Sequence, residues 1–276
     1  MSFSVLMSVY HRENPEHFDF ALESNLINQL LPPDEFVLVC DGPLGAQLDS
    51  VIEKYQKLFP EVLKVYRLKE NLGLGRALNF GLEKCGNDLV ARADSDDISL
   101  PDRYKKQIAF MEKQGDVALL GTDIEEFEDD PENPTRRKQM PATDDEIKSF
   151  MKFRNPINHM TAVFRKSAVE KAGSYIHIPY LEDYYLWVRM AAAGFKAANI
   201  GEPLVLARIG NGMVKRRGNK DYIAGWQELS RYMLKNKMIT RPEYLRNIIA
   251  VRAFVYMPTS IRNFSYKKLL RKGSKV

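Results

Sequence analysis

Three carboxylates lie close together in the sequence, directly after an apolar run. Asp94, Asp96 and Asp97 follow residues 88–93, whose sequence Asp-Leu-Val-Ala-Arg-Ala predicts a buried strand. Carboxylates at this spacing repel one another, and Mg²⁺ or Mn²⁺ bound together with phosphate oxygens is the usual group that offsets such charge. Turn formation and helix capping by Asp96 and Asp97 would explain the same residues without a metal. The residues alone leave both explanations open.

A second pair of acids, Glu182 and Asp183, opens a segment with helical periodicity over residues 181–193. Acidic residues in the first turn of a helix interact favourably with the helix dipole, and on position alone this structural explanation is favoured. A catalytic explanation is also available, because a hydroxyl group is a poor nucleophile unless a base accepts its proton as it attacks. The pair is therefore a candidate for general-base catalysis.

A glycine-rich segment, Gly73-Leu74-Gly75-Arg76, precedes a predicted helix. It resembles loops that bind phosphate groups, and it gives Arg76 a position from which to contact phosphates or the metal-binding acids. A dinucleotide fingerprint would need a third glycine where the chain has Leu78, and it would follow the first strand rather than the third. We therefore reject an NAD-binding site. A flexible entry into the helix is the structural alternative.

The histidines and cysteines indicate less about function than the acids and the glycine-rich segment do. The histidines lie at positions 11, 17, 159 and 177 and lack the spacing of metal ligands. His159, which precedes a predicted strand, is interpreted as a hydrogen-bonded structural residue. Cys40 and Cys85 also lack metal-type spacing, which favours a reducing, cytoplasmic setting. The sequence contains no nucleophilic serine or cysteine motif.

Apolar runs alternate with helical patterns in the first third of the chain. Strands are predicted at residues 3–10, 35–40, 62–68 and 88–93, with helices at 15–31, 46–59 and 75–85 between them. This alternation predicts an α/β fold with a parallel sheet and helices on both of its faces. Because ligands bind beyond the carboxyl ends of such strands, residues 10–12, 41–42 and 94–97 should converge on one site.

Beyond Asp97 the alternation is less regular. A helix is predicted over residues 101–114, begun by a capping pair of Ser99 and Asp102. Residues 125–132 contain six acids and lie beside prolines, which indicates a surface loop. The other predicted elements are a strand at 161–165, the helix at 181–193 and three basic helices at 219–237, 241–256 and 264–272.

Basic residues are concentrated towards the C-terminal end. The 276 residues carry a net charge of +5, but residues 208–276 have 17 Lys and Arg against 3 Asp and Glu. This pattern predicts an acidic main domain over 1–215 and a basic helical extension over 216–276, with an anionic membrane or a lipid diphosphate as partner. Nucleic acid is disfavoured because no recognition motif accompanies the basic segment. The N-terminus lacks the features of a signal peptide, and no apolar stretch approaches the roughly 20 residues that span a bilayer.

Taken in order, these segments resemble family 2 glycosyltransferases of the GT-A fold. The resemblance covers residues 2–212, and the sequences that carry it are SVLMSVY at 4–10, VLVCDG at 37–42, NLGLGRALN at 71–79, ARADSDD at 91–97 and EDYYLWVR at 182–189. The chain most resembles the enzymes that build bacterial O-antigen, capsule and exopolysaccharide (amylovoran-type) repeat units. The resemblance implies a Rossmann-like mixed sheet flanked by helices. It also implies an inverting transfer of a hexose (glucose, galactose or an N-acetyl form) from a UDP-sugar to a sugar hydroxyl.

The resemblance further implies how the donor and the metal are bound. Asp96, together with Asp94, would bind Mn²⁺ or Mg²⁺. The residues expected to bind the donor are Ser8, Tyr10, Arg12, Asp41, Gly73, Arg76, Asp94 and Ser95. Many relatives place a further metal-binding histidine after the last strand, whereas Gly210 lies near that point here. The third protein ligand is therefore not identified.

Catalysis is expected at the second pair of acids. Asp183 would be the base and Glu182 would shape the acceptor site, while Trp187 would pack in the core. Further contacts with the diphosphate or the acceptor are expected from Arg208, Arg216, Arg217 and His159. The expected acceptor is a polyprenyl-diphosphate-linked glycan, reached by peripheral contact with an anionic membrane at its cytoplasmic face.

Two other functions compete with transfer. A non-catalytic nucleotide-sugar-binding module would share the fold, but the intact acids at positions 41, 94, 96 and 183 argue against it. A sugar-nucleotide nucleotidyltransferase would need a basic glycine loop near the N-terminus, where the chain has Tyr10-His11-Arg12 instead.

Overall fold

One mixed β-sheet runs through the molecule. The computed structural model describes residues 1–210 and 218–257. The strands in chain order are β1 (Phe3–Val9), β2 (Glu35–Cys40), β3 (Leu63–Arg67), β4 (Leu89–Ala93), β5 (Ile98–Ser99), β6 (Val117–Phe127), β7 (Arg136–Lys138), β8 (Val163–Arg165) and β9 (Lys196–Arg208). Their spatial order is β3-β2-β1-β4-β8-β6-β9-β5, and β7 pairs with β6.

Helices cover this sheet and extend beyond it. In chain order they are α1 (Pro15–Leu26), α2 (Ala46–Leu58), α3 (Leu74–Lys84), α4 (Arg103–Lys113), α5 (Asp144–Met151), α6 (Lys166–Lys171), α7 (Glu182–Ala192), α8 (Lys220–Lys235) and α9 (Arg241–Tyr256). A 3₁₀ turn at His159–Thr161 precedes β8. The strand that the sequence predicted from residue 161 therefore begins at Val163. Within the described residues, none of these helices has the length and apolar character needed to span a bilayer.

The first four strands form the parallel half of the sheet, as the alternating pattern predicted. β1 lies between β2 and β4 and is parallel to both, and β2 is parallel to β3. β2 and β4 are nearly continuous apolar runs because helices cover both of their faces. Helix α3 approaches the sheet closely at Gly81, where an added Cβ would lie 2.4 Å from Leu6 Cδ1 and 2.7 Å from Val39 Cγ2.

The second half of the sheet mixes strand directions. β8 is antiparallel to β4 and β6, β9 is parallel to β6, and β5 is antiparallel to β9. The mixed sheet flanked by helices confirms the expected fold class. Pairing of β5 with β9 has a local consequence, because it brings the end of β9 back to the acidic turn that follows β4.

Helix α1 is shorter than predicted. It ends at Leu26, although helical periodicity continues to residue 31. The chain beyond the helix bonds instead to the segment before α4. Gln29 donates from its side chain to the Leu100 carbonyl at 2.9 Å, and the Leu30 amide donates to the Pro101 carbonyl at 2.8 Å.

Two other local predictions are wrong. Residues 125–127 belong to β6 rather than to a loop, because β7 brings a row of basic residues beside the acids of that strand. Ser99 and Asp102 do not form a capping pair. Asp102 is the N-cap of α4, but its side chain makes no capping bond and pairs with Lys106, while Ser99 Oγ donates to Asn25 Oδ1 at 2.9 Å.

The C-terminal helices α8 and α9 pack against each other, and α8 packs on α7. Trp226 lies against Tyr184 with ring centroids 5.7 Å apart, and Leu229 and Met233 belong to the same buried cluster as Trp187, whose core position is confirmed. Predicted helices 219–237 and 241–256 are confirmed as α8 and α9. The helix predicted at 264–272 and the boundary at 215/216 lie outside the described residues.

Candidate active site

The turn after β4 brings three carboxylates together. Carboxylate oxygens of Asp94, Asp96 and Asp97 all lie within 4.8 Å of one another. Asp97 is buried, and burial raises its pKa well above the ordinary range, with Asp96 and then Asp94 raising it further. An all-oxygen donor set whose charges repel one another fits a hard divalent cation such as Mg²⁺ or Mn²⁺. Asp97, which the sequence analysis did not name as a metal ligand, lies in the same cluster as Asp94 and Asp96.

Two arginines border the acidic turn. Arg92 is 1% exposed and forms an ion pair through Nη1 with Asp94. From β9, the Arg208 amide donates to Asp97 Oδ1 at 2.7 Å and its Nε donates to the Asp96 carbonyl at 3.3 Å. Arg208 therefore lies beside the acidic turn, and its contact with a diphosphate or an acceptor stays a prediction. Arg92 was missed from the sequence. A sequence pattern could have identified Arg92, because it is a single cation inside an apolar strand directly before the acids.

Asp41 links the end of β2 to the glycine loop. Its buried carboxylate accepts hydrogen bonds from the Leu72 amide at 2.7 Å and the Gly73 amide at 3.0 Å, one on each oxygen. Gly42 has a φ of +88°, and an added Cβ there would lie 2.7 Å from the Asn71 amide nitrogen. The start of the loop is therefore held by the strand end, and α3 begins within the loop, at Leu74. Direct contact between Asp41 and a nucleotide stays a prediction.

The other predicted donor residues surround the same edge of the sheet. Tyr10 is 39% exposed, Arg12 and Arg76 are also exposed, and Ser8 is half-buried near the end of β1. Since β1 lies between β2 and β4 in a parallel arrangement, the loops that follow these strands emerge side by side. Because Tyr10, Arg12 and Arg76 are exposed, their side chains are accessible to a ligand.

Ser95 is tied to the loop that follows β1. Its hydroxyl donates to Glu13 Oε2 at 2.6 Å, which joins the acidic turn to residues 10–14. Glu13 was missed from the sequence, because an acid in a polar loop carries no local signal of this contact. The same loop ends in Asn14, whose side chain caps α1.

The acids of α7 face the glycine loop. Glu182 and Asp183 are half-buried in the first turn of the helix, and an added Cβ on Gly75 would lie 3.4 Å from Glu182 Cβ. Asn155 donates from Nδ2 to Asp183 Oδ2 at 2.6 Å, and its own Oδ1 accepts from the Ile157 amide at 3.3 Å. This orients the Asp183 carboxylate. Asn155 was missed because it lies far from Asp183 in the sequence.

His159 has the surroundings of a structural residue. Its Nε2 lies 3.0 Å from Tyr175 Oη, and its ring lies 6.0 Å from that of Trp187 in an edge-on contact. Burial lowers the pKa of His159 well below its ordinary value, and Arg92 lowers it further. These contacts agree with the interpretation as a hydrogen-bonded structural histidine, and its contact with a diphosphate or an acceptor stays a prediction.

Three positions named in the sequence analysis follow the end of β9: Arg216, Arg217 and Gly210. Arg216 and Arg217 lie outside the described residues, so their contacts stay predictions. Gly210, which lies near the point where the resemblance would place a metal-binding histidine, is exposed with a φ of +101°.

The fold and this arrangement of acids define a GT-A glycosyltransferase. Residues 4–173 match the sequence model of glycosyl transferase family 2, and the chain belongs to that family. Among curated relatives, it is 41% identical over 269 residues to the amylovoran biosynthesis glycosyltransferase AmsE of Erwinia amylovora, covering 96% of this chain and 98% of the relative. It is 36% identical to a UDP-Gal:alpha-D-GlcNAc-diphosphoundecaprenol beta-1,3-galactosyltransferase of Escherichia coli, covering 98% and 97%. This family and these relatives place the chain in polysaccharide biosynthesis.

Solved structures share the fold at low sequence identity. S. aureus TarS 1-349 in complex with UDP-GlcNAc superposes with a TM-score of 0.69 and 18% identity over 99% of this chain and 77% of TarS. The mannosyltransferase PcManGT from Pyrobaculum calidifontis, in complex with GDP-Man and Mn²⁺, gives a TM-score of 0.62 at 15% identity over 99% and 76%.

Proposed function

We propose that the protein transfers a hexose from a UDP-sugar to a sugar hydroxyl, with inversion at the anomeric carbon and with a divalent cation. The observation that carries this proposal is the cluster formed by Asp94, Asp96 and Asp97 at the carboxyl end of β4. Further support comes from the relative named for a UDP-Gal donor and from the TarS neighbour solved with UDP-GlcNAc. The neighbour solved with Mn²⁺ is consistent with the choice of metal.

Asp96 and Asp94 would hold Mn²⁺ or Mg²⁺, with the buried Asp97 as a third carboxylate. When bound, the cation offsets the charge that develops on the departing diphosphate. Arg208 adds a positive charge at the same turn, where it is held by the Asp96 carbonyl and by Asp97. Arg76, exposed on the first turn of α3, would contact the donor phosphates.

Asp183 is the proposed base. As the acceptor oxygen forms its bond to the anomeric carbon, the bond from that carbon to the diphosphate oxygen breaks. The acceptor proton passes to Asp183, and UDP leaves with the electron pair of the broken bond. A single displacement inverts the configuration, so an α-linked donor gives a β-linked product. Glu182, one residue earlier on the same helix turn, would shape the acceptor site.

The proposed acceptor is a glycan linked to polyprenyl diphosphate. Its support is the relative whose name contains a diphosphoundecaprenol-linked acceptor. The basic composition of residues 208–276 agrees with such an acceptor, because both the lipid diphosphate and the membrane around it are anionic. The protein would then work at the cytoplasmic face of the membrane as a peripheral enzyme.

Thermal unfolding with UDP, GDP or dTDP, each with Mn²⁺ or with EDTA, tests the donor site. Nucleotide at 100 times its dissociation constant stabilises a protein by about 2.7 kcal/mol, which corresponds to a rise in melting temperature of about 5–10 °C at this size. We expect this rise with UDP and Mn²⁺, and we expect EDTA or Asp96→Asn to abolish it. A rise in EDTA equal to that in Mn²⁺ would contradict the metal site. No rise with any nucleotide would favour a module without a donor site.

An Asp183→Asn variant tests the base. We expect turnover of UDP-sugars to fall by roughly 10²–10⁴, since that is the usual contribution of general-base catalysis. The rise in melting temperature with UDP and Mn²⁺ should be retained, because Asp183 does not bind the donor in this proposal. Near-normal turnover would remove Asp183 from the role, whereas loss of both turnover and nucleotide binding would indicate a damaged fold.

A further inference from the structure

Helix α9 has large apolar side chains exposed to solvent along one side. Leu245, Ile249 and Tyr256 are 58%, 67% and 69% exposed. At 3.6 residues per turn these three positions fall within an arc of about 40° on the helix surface. The side of α9 that packs on the protein is formed by Asn247, Ile248, Val251 and Val255, which are buried. The exposed apolar residues are therefore not needed for packing within the described chain.

Arginines flank this exposed apolar stripe. Arg241 and Arg252 are exposed and lie along one border of it, within about 40° of Leu245. Acidic charge is absent from the stripe, since the single acid of α9 is Glu243. The Glu243 carboxylate accepts from the Thr240 amide at 2.7 Å as part of a capping box and lies 3.5 Å from Lys152 Nζ.

A shallow groove between α8 and α9 continues the stripe. Its volume is about 320 Å³, and its lining residues are Lys220, Ile223, Ala224, Gln227, Arg252 and Tyr256. Two cations and an apolar wall in one groove match the chemistry of a lipid phosphate attached to an acyl chain. Tyr256 belongs to both the groove and the stripe, and Arg252, at the border of the stripe, also lines the groove. The groove and the stripe therefore form one continuous surface.

We propose that this surface of α9 binds an anionic lipid bilayer, with the helix lying in the interface. Leu245, Ile249 and Tyr256 would enter the boundary between headgroups and acyl chains, and the arginines would contact lipid phosphates. Exposed large apolar residues beside cations are the pattern of interfacial helices. Charge complementarity selects an anionic membrane as the occupant, and the residues that follow α9, 258–276, contain six Lys and Arg and no acid.

This surface deepens the proposed function, because it would place the enzyme where a lipid-linked acceptor lies. The two ideas can nevertheless fail separately. Vesicle binding is measured without donor or acceptor, and sugar transfer can be measured to a water-soluble acceptor without vesicles. Loss of one activity therefore says nothing about the other.

Co-sedimentation of the full chain with vesicles of phosphatidylglycerol and phosphatidylcholine is the test. We expect binding to these vesicles and much less to phosphatidylcholine alone. Changing Leu245, Ile249 and Tyr256 together to Ser should lower partitioning at least about tenfold, since their buried apolar area is lost. Changing Arg241 and Arg252 to Gln should lower it about 25-fold at low salt, at about fivefold per cation, and the effect should shrink as salt rises.

The matched control carries Leu30→Ser and Leu58→Ser, two leucines outside α9 that are 65% and 56% exposed. It should bind vesicles like the wild type. Equal binding by the control and both α9 variants would overturn the proposal, as would a wild type that binds no anionic vesicle. A wild type that is dimeric in solution, with a monomeric serine variant, would assign the stripe to contact between two copies instead. If the serine variant does not fold, vesicle binding by the variant with Arg241 and Arg252 changed to Gln still tests the proposal.

Discussion

Replacing Asp41 with Asn should lower the stability of the protein before any nucleotide binds. The buried Asp41 carboxylate accepts the amides of Leu72 and Gly73, one on each oxygen. Asparagine retains one acceptor oxygen and turns an NH₂ group towards the other amide, so one hydrogen bond is lost and one buried donor is left unpaired. The glycine loop before α3 should therefore be released from the end of β2.

The size of the effect follows from those two bonds. A hydrogen bond to a charged group contributes about 1.5–3 kcal/mol, so Asp41→Asn should cost about 2–3 kcal/mol. For a protein of this size, each kcal/mol lowers the melting temperature by about 2–4 °C, which gives an expected decrease of about 4–12 °C. Asp41→Ala removes both acceptors and should cost more than Asp41→Asn.

Calorimetry of the nucleotide-free protein measures this decrease. Asp49→Asn is the matched control, because the Asp49 carboxylate pairs with Arg67 at 2.6 Å on the surface of the protein. Partly exposed pairs of this kind contribute at most about 1 kcal/mol, so the control should melt within about 4 °C of the wild type. If Asp41→Asn also melts like the wild type, the carboxylate does not hold the loop. A loss of UDP binding alone would then assign Asp41 to the nucleotide.

Two further substitutions test the surroundings of the site. Gly81→Ala should destabilise the protein by about 1–3 kcal/mol through overpacking, because the added Cβ would lie 2.4 Å from Leu6 Cδ1. Urea unfolding measures this loss, with Gly115→Ala as the control because an added Cβ there meets no atom within 4 Å. Equal stability of the two variants would contradict the prediction. Asn155→Ala should lower kcat about tenfold to 100-fold with KM for the donor unchanged, because the Asp183 carboxylate loses its 2.6 Å hydrogen bond. An unchanged kcat, or a KM that rises alone, would remove Asn155 from the orientation of Asp183.

Local patterns in the sequence predicted much of the fold. Strands β1 to β4 are short apolar runs bounded by turn residues, and the helices between them have amphipathic periodicity, so each element is encoded within its own residues. The acids at the strand ends were predicted as a site for the same reason. Parallel strands place their carboxyl ends at one edge, and the order of the elements is enough to group these residues.

Predictions failed where the partner of a residue comes from a distant part of the chain. Residues 125–127 resemble an acidic loop until β7 supplies basic neighbours and β9 supplies a strand to pair with. Ser99 resembles a cap until Asn25 offers an amide oxygen 2.9 Å away. Local propensity differs by only fractions of a kcal/mol between such alternatives, and a tertiary hydrogen bond is enough to decide them.

The sequence by itself determined which residue types could do chemistry here: carboxylates after β4, a glycine loop before α3, and two acids at the start of α7. The tertiary structure decided how they are held. Pairing of β5 with β9 brings Arg208 to Asp97, and the packing around α7 brings Asn155 to Asp183. These contacts join residues 111 and 28 positions apart. Such contacts depend on closure of the whole sheet and packing of its helices, and no local pattern in the chain encodes them.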